Sequence, residues 1–447
     1  MPSPTESILT RLARGPVSAR QLIEYSGVSQ PTVSRALSGL ANNLVRIGTA
    51  RSIRYALRDR WRGLPDIPVY QVDAEGKARN LGLLIPVRPE GFVMRQEGGV
   101  AQYSEGIPWW LVDMRPQGYI GRAYAAHHGA MLGLPERLTD WTDTHALRAL
   151  LAHGQDVIGN LLLGDSVRDH FLAAPLPVPI TAQAKPAVYA QRAQAAAQGD
   201  LPGSSAGGEQ PKFMTFADTP DGPRFVMVKF SEREAGPVSA RWRDLLLAEH
   251  HALNTLGEAG MPVAQTRLID HEEQRFLEVE RFDRVGAQGR RAVFSLAALE
   301  AEFVGAGAGG WPLITQRLAA ERHISLEAAA YAARLWAFGT LIGNTDMHNG
   351  NLSFMSEQGR PYDLAPAYDM TPMAFAPRTG GGLPDTLPEA VLHASVSHEI
   401  WRQAEKLAQV FLDRIHSESR FSPRFVPCIA ALEHHIQIAR AKIERLG

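Results

Sequence analysis

Apolar and polar positions change period several times along the chain, and each change marks an element. Near the N-terminus, Ser7 to Leu12 carries apolar residues at helical spacing. Ser18 is placed to cap a second helix, SARQLIEYSG, ended by Gly27, and Ser29 a third, SQPTVSRALSGL, with Pro31 in its first turn. VRIGTARSIRYAL then alternates as two strands around Gly48 to Arg51. Between 64 and 125 the runs IPVYQV, LGLLIPV and GFVMRQ, broken by Gly and Pro, predict a small sheet. From about Pro175 to Pro202 the chain is rich in Ala, Pro and Gln and reads as a connection to a new unit. Two alternating runs, Lys212 to Phe216 and Arg224 to Phe230, flank a turn at Asp218 to Pro223, which predicts a hairpin. RWRDLLLAEHHALNTLG and YAARLWAFGTLI both have the period of a helix, and the second breaks into the polar loop GNTDMHNGNLSF, residues 343–354.

Charge gives the first segment a partner. The chain as a whole carries −1, but residues 1–60 hold nine arginines against Glu6, Glu24 and Asp59, so that segment is +6 and the remainder −7. Three short helices, a glycine-permitted turn and two strands resemble a winged helix-turn-helix, whose third helix enters the major groove. On that resemblance Ser29, Gln30, Thr32, Ser34 and Arg35 face base edges of double-stranded DNA, while Arg46, Arg51 and Arg54 meet phosphates. A small helical domain for protein contacts is the alternative. Winged-helix proteins often bind palindromes in pairs, so a homodimer is an expectation.

Composition narrows the class. With 447 residues, 45% hydrophobic and 21% charged, the chain has room for two or three domains with large cores. No apolar run is long enough to span a bilayer and no signal-peptide core is visible, so a cytoplasmic protein is expected. A lone Cys428 allows no internal disulfide and reads as a buried apolar residue.

Three motif matches lack the context their chemistry needs. GAGAGG at Gly305–Gly310 fits a dinucleotide fingerprint, but Trp311-Pro312 stands where the helix should open and no acidic residue follows at the right distance. GSSAG at Gly203–Gly207 fits a nucleophile elbow at Ser205, yet Pro202 precedes it and a strand follows. The His-His pairs beginning at 127, 250 and 434 have no zinc-site spacing.

One ordered set of residues points to phosphate chemistry. GSSAGGEQPK is small enough for backbone N–H groups to approach a polyphosphate, and Lys212 adds charge. Lys229 ends an apolar strand, where an ammonium needs an anionic partner, and Glu249 lies on the helix that follows. Asp346 and Asn351 are spaced D-x-x-x-x-N, as in a catalytic loop whose Asp takes a hydroxyl proton and whose Asn holds metal. Asp369, in RPYDLAPAYDM, is a second oxygen ligand for Mg²⁺. His348 either supports the loop or contacts phosphate.

Taken together, SSAGGEQPK, VMVKF, LEVERFDR, GNTDMHNGNLSF and LAPAYDM resemble the HipA family of serine/threonine kinases, toxins of bacterial toxin-antitoxin modules, over roughly residues 65–430. The fused N-terminal helix-turn-helix resembles its YjjJ-like type. The resemblance implies a multidomain α+β chain. A winged helix-turn-helix (1–60) precedes a two-lobed protein-kinase-like fold with an N-terminal lobe (61–282) and a mostly helical C-terminal lobe (283–447). It implies ATP and Mg²⁺ as cofactors, Asp346 as base, Asn351 and Asp369 as metal ligands, and Lys229, paired with Glu249, on the ATP phosphates. Ser205, Ala206, Gly207, Gly208 and His348 would also surround ATP, with Glu280, Arg281 and Phe282 as the adenine hinge. Ser204 matches the loop serine whose autophosphorylation silences these kinases, although the loop is one residue longer than in the best-known member, which leaves Ser204 and Ser205 both open. A protein substrate such as an aminoacyl-tRNA synthetase is implied. Because the DNA-binding part is built in, the need for a separate antitoxin is open. Two other functions fit the same residues: a transcription regulator with a ligand-sensing kinase-like domain, and a small-molecule phosphotransferase.

Overall fold

The computed structural model describes residues 3–49, 52–197, 210–305, 307, 309–356 and 359–446. Three helices open the chain, Pro4–Leu12, Ala19–Ser26 and Gln30–Gly39. Ser3 with Glu6 and Ser18 with Gln21 form reciprocal capping boxes, so the first helix begins three residues earlier than its apolar period indicates. Gly27 closes the second helix at φ 66°. Ser29 stands at the cap position of the third helix, but its hydroxyl meets that of Thr32, 3.0 Å away, and makes no cap hydrogen bond. Pro31, one residue earlier, has no N–H to offer it. Strands Val17–Ser18, Arg54–Leu57 and Leu44–Ile47 form an antiparallel sheet in that order. Ile8, Leu12, Val17, Leu22, Val33 and Leu37 make the core.

This unit does not hang on a linker. Val45, Ile47 and Ala56 share a second core with Ile85, Val87 and Val93 of the next sheet. That sheet has five antiparallel strands in the order Ala101–Ser104, Gly91–Gln96, Ala78–Val87, Ile67–Val72 and Leu161–Leu163. Arg62 fastens the joint, donating to the carbonyls of Val87 and Gly91 and lying over the Phe92 ring. Register slips between Val69 and Tyr70, opposite Gly82 at φ 142°, where a Cβ would lie 2.1 Å from the Arg95 carbonyl oxygen.

The stretch expected as a connection contains the helix Lys185–Ala197. Alanine favours helix while giving little amphipathic contrast, so periodicity alone passes over it. Tyr189, Ala193 and Ala196 pack on Phe213, Val226, Val228 and Phe276 of a second sheet, ordered Thr266–His271, Gln274–Glu280, Arg224–Phe230 and Lys212–Ala217. The long helix Pro237–Glu258 covers the opposite face through Leu246 against Leu277 and Val279. The region 61–282 thus holds two separate sheets.

Leu245, Ala248, Ala252, Leu253 and Leu256 of that long helix also enter the main C-terminal core. There they meet helices Leu296–Phe303, Gly310–Ala320, Leu326–Leu341, His398–Ser417 and Val426–Glu444. A helix does open at Trp311-Pro312, contrary to the sequence expectation, because proline is tolerated in a first turn. It follows another helix rather than a strand, so no dinucleotide fingerprint arises. Cys428 is fully buried, and burial pushes its thiol up to about 11. No helix among the described residues is long and apolar enough to cross a membrane.

Candidate active site

A cleft lies where the second sheet, the C-terminal helices and the middle unit meet. Lys212, Met214, Met227, Lys229 and Val279 line it from the sheet, His348, Gly350, Asn351, Tyr368 and Asp369 from the C-terminal side, and Val112, Asp113 and Ile158 from the middle unit. The alternation of Arg224–Phe230 explains the division of labour. Val226 and Val228 point into one core, so Met227 and Lys229 point the other way.

Lys229 is buried and fully paired. Its Nζ donates to Glu249 Oε1 and Oε2 at 2.6 and 2.8 Å and also bonds Asp369. Burial opposes its charge, but Asp369 and Glu249 outweigh burial and hold the ammonium above its ordinary range. Burial would likewise raise Asp369, yet Lys229 and then Lys212 keep its carboxylate below the usual range. In Glu249 burial wins, with the neighbouring Asp369 adding to it, so Asp369 is the firmer anion of the two. Thr371 donates to Glu249 at 2.8 Å and fixes its rotamer.

The loop after Leu326–Leu341 is built around side-chain amides. Gly343 turns at φ 75°. The Asp346 N–H donates to Asn344 Oδ1 at 3.0 Å in an Asx turn, and Asn344 Nδ2 donates to the Asp369 carbonyl at 3.2 Å. One buried asparagine therefore sets the spacing between Asp346 and Asp369. Asn351 Nδ2 donates to the Asp346 carbonyl at 2.8 Å, which leaves its Oδ1 arm for a cation. Trp311 Nε1 donates to the His348 carbonyl at 3.1 Å, and Tyr368 OH donates to that of Gly350 at 3.0 Å. Asp369 sits at φ 54°, a conformation uncommon outside glycine and concentrated at functional sites. Asn344, Tyr368 and Thr371 escape sequence reading because they act through contacts far apart in the chain; only Asn344, two residues before Asp346, has a local signal.

The remaining expected residues fall into three groups. Asp346 and His348 are about half exposed and 4.0 Å apart, with His348 Nδ1 accepting the Gly350 N–H. Glu280, Arg281 and Phe282 form the corner at the end of the strand; the Glu280 N–H is taken by the Gln265 carbonyl and the Arg281 N–H by that of Phe225. The Arg281 guanidinium is engaged by Asp283 at 2.9 Å and Asp156 at 3.3 Å. Ser204, Ser205, Ala206, Gly207 and Gly208 lie outside the described residues, as does Arg51. At the other end of the molecule Ser29, Gln30, Ser34, Arg35, Arg46 and Arg54 are exposed and Thr32 half-buried. Arg46 and Arg54 sit on paired strands, one register step apart.

Mg²⁺ suits this donor set. Asn351 and Asp369 offer hard oxygens, and among the described residues no group of three or more His, Cys, Asp or Glu could hold a metal, so phosphate and water would complete the shell. The histidine pairs form no such cluster either. His250, for example, accepts or donates at Thr266 and Asn254, and burial drops it to about 4.

Residues 64–172 match the YjjJ-like toxin middle domain, and residues 204–430 the HipA-like C-terminal domain. Toxin YjjJ of Escherichia coli (strain K12) is 37% identical over 438 residues, covering 98% of each chain. Among solved structures, a complex of the Shewanella oneidensis MR-1 toxin-antitoxin proteins HipA and HipB with operator DNA aligns at 14% identity and a TM-score of 0.48, over 85% of this chain and 97% of that one. The Helicobacter pylori proinflammatory kinase CtkA aligns at 15% identity and a TM-score of 0.38, over 53% and 94%. By its full-length identity and its C-terminal domain, the chain belongs to the YjjJ-like toxins of the HipA-like family.

Proposed function

We propose that this chain is an ATP- and Mg²⁺-dependent protein serine/threonine kinase that also binds DNA through its N-terminal unit. The observation that carries the kinase reading is the buried Lys229, held by Glu249 and Asp369 in a cleft that Asn351 also lines, with Asn351 tied in turn to the Asp346 main chain. Lys229 would hold phosphate oxygens, and it is already charged and positioned to do so. Asn351 and Asp369 would hold Mg²⁺, which would supply positive charge against the phosphates. With the Glu280 and Arg281 N–H groups used within the fold, an adenine edge at this corner pairs with the Glu280 carbonyl and the Phe282 N–H. Asp346 accepts the proton of the acceptor hydroxyl as that oxygen bonds to the γ-phosphorus. The bond from γ-phosphorus to the bridging oxygen breaks, and ADP leaves with the electron pair. Family resemblance suggests a translation-related acceptor such as an aminoacyl-tRNA synthetase, and autophosphorylation at Ser204 or Ser205.

Intact mass and peptide mapping before and after Mg-ATP test this directly. The expected result is one added phosphate on Ser204 or Ser205 in the wild type and none in Asp346→Asn. An unmodified wild type that also labels no protein in a cell extract would refute the kinase and favour a ligand-sensing regulator.

For the N-terminal unit, a winged helix-turn-helix reading rests on the exposed polar face of Gln30–Gly39 and the flanking Arg46 and Arg54. Arg35→Ala is expected to weaken specific duplex binding by about 1–3 kcal/mol. Arg46→Ala would weaken all sequences alike. Equal losses for Arg35→Ala on specific and random duplexes would remove that helix from the groove.

A further inference from the structure

A second hollow, of ≈ 490 Å³, opens beside the catalytic loop at Thr345. Its volume is within the range of ligand-binding clefts. Thr345 stands in its wall, whereas His348, Gly350 and Asn351 stand in the wall of the cleft. Asp346, next to Thr345 in the chain, is half exposed.

The hollow is firmly built. Its outer wall is the segment 373–388, tied down by the buried Arg241, whose Nη1 donates to the carbonyls of Phe375 at 2.8 Å and Pro384 at 2.5 Å. The Ala374 N–H donates to the Gly343 carbonyl at 3.0 Å, which fixes the same segment to the catalytic loop. Arg241 belongs to the helix that carries Glu249, so one helix positions both the phosphate lysine and this wall.

Two features of the wall specify what it takes. Arg378 is exposed on its rim, with its main chain locked in a turn by Arg378 N–H to Gly382 O at 2.9 Å and Gly381 N–H to Arg378 O at 2.8 Å. Among the described residues no carboxylate lies within ion-pair distance of its guanidinium. Asp385 to Leu387 run past the hollow without secondary structure, and among the described residues their backbone groups have no main-chain hydrogen bond. Backbone groups left open in this way suit a peptide main chain, and an exposed guanidinium suits a carboxylate.

We propose that this hollow is the acceptor-side docking site, and that it takes an extended polypeptide segment whose acceptor Ser or Thr is followed or preceded, at a fixed offset, by an Asp or Glu that pairs with Arg378. The proposal rests on the kinase reading above and adds to it where and by what chemistry the acceptor is held.

The test uses the full chain, Mg-ATP and a positional peptide library with one Ser or Thr acceptor and Asp, Glu, Lys or Arg fixed in turn at each flanking position. Wild type is expected to prefer an acid at one offset. Arg378→Ala should lower kcat/KM for that peptide roughly tenfold, the loss of one charge-assisted hydrogen bond. Arg378→Glu should move the preference to Lys or Arg at the same offset, and nucleotide affinity should be unchanged in both. If wild type phosphorylates the library with no acid preference, or both variants keep it, the docking site is overturned while the kinase stands. If wild type transfers phosphate to neither peptide nor itself, the kinase reading fails and the docking site with it. An RNA oligonucleotide that competes with the peptides in wild type but not in Arg378→Glu would assign the rim to nucleic acid and overturn the peptide.

Discussion

Asp346→Asn is expected to lower the rate of phosphoryl transfer by about 10²–10⁴ while leaving nucleotide affinity and the unfolding midpoint unchanged. The reasoning is local. The Asp346 side chain is half exposed and, among the described residues, lies 4.0 Å from His348 with no hydrogen bond of its own, whereas its backbone N–H and carbonyl are tied to Asn344 and Asn351. Asparagine keeps the size and the backbone bonds but cannot accept the hydroxyl proton. Steady-state transfer to a protein or peptide acceptor, paired with nucleotide titration, separates the two effects. Activity within threefold of wild type would show that Asp346 is not the base. Asn344→Ala makes a useful contrast, since it loosens the register between Asp346 and Asp369 and should lower nucleotide affinity as well.

Asp283→Ala is expected to destabilise the protein by about 3–5 kcal/mol. Asp283 is buried between Arg281, whose Nε and Nη2 reach it at 3.0 and 2.9 Å, and Arg284, whose Nη1 reaches it at 2.6 Å; it also accepts the Gly159 N–H at 3.1 Å. Removing it leaves two buried guanidinium groups sharing, among the described residues, the one carboxylate of Asp156. Burial by itself would raise the Asp283 carboxyl, but the charges of Arg281 and Arg284 outweigh it and hold the carboxyl far below its ordinary value. The sign follows. Its contribution is complete above its unfolded value near 3.8 and is lost as the pH falls from there toward the folded value. Urea melts of wild type and variant should therefore differ most at neutral pH and converge in acid. A difference under about 1 kcal/mol at neutral pH would mean that water reaches the arginines.

This network also ties the middle unit to the corner of the cleft. Asp156, Val157 and Gly159 come from one unit and Arg281 to Arg284 from the other. Asp113 adds a second tie, accepting from the Ser295 N–H and hydroxyl at 2.6 Å each. The middle unit is thus part of the cleft wall rather than a spacer. Its strands were legible in the sequence, and its place beside the corner at Glu280 to Phe282 was not.

The sequence by itself determined the local elements and the chemistry they carry. Alternation placed Lys229 on the face opposite Val226 and Val228, helical period delivered Glu249, and the break after Leu341 exposed Asp346 and Asn351, because these depend on a few neighbouring residues. Capping serines and Gly27 marked helix ends for the same reason. Only the tertiary structure decided that the alanine-rich stretch is a helix over the second sheet and that Asn344 joins Asp346 to Asp369. It also set the Arg281 side chain within a buried ion-pair network. Each of these depends on groups 25 to 125 positions apart coming within hydrogen-bond distance. Such separations leave no periodic trace in a single sequence, since what selects them is the cost of burying a charge or an amide without a partner.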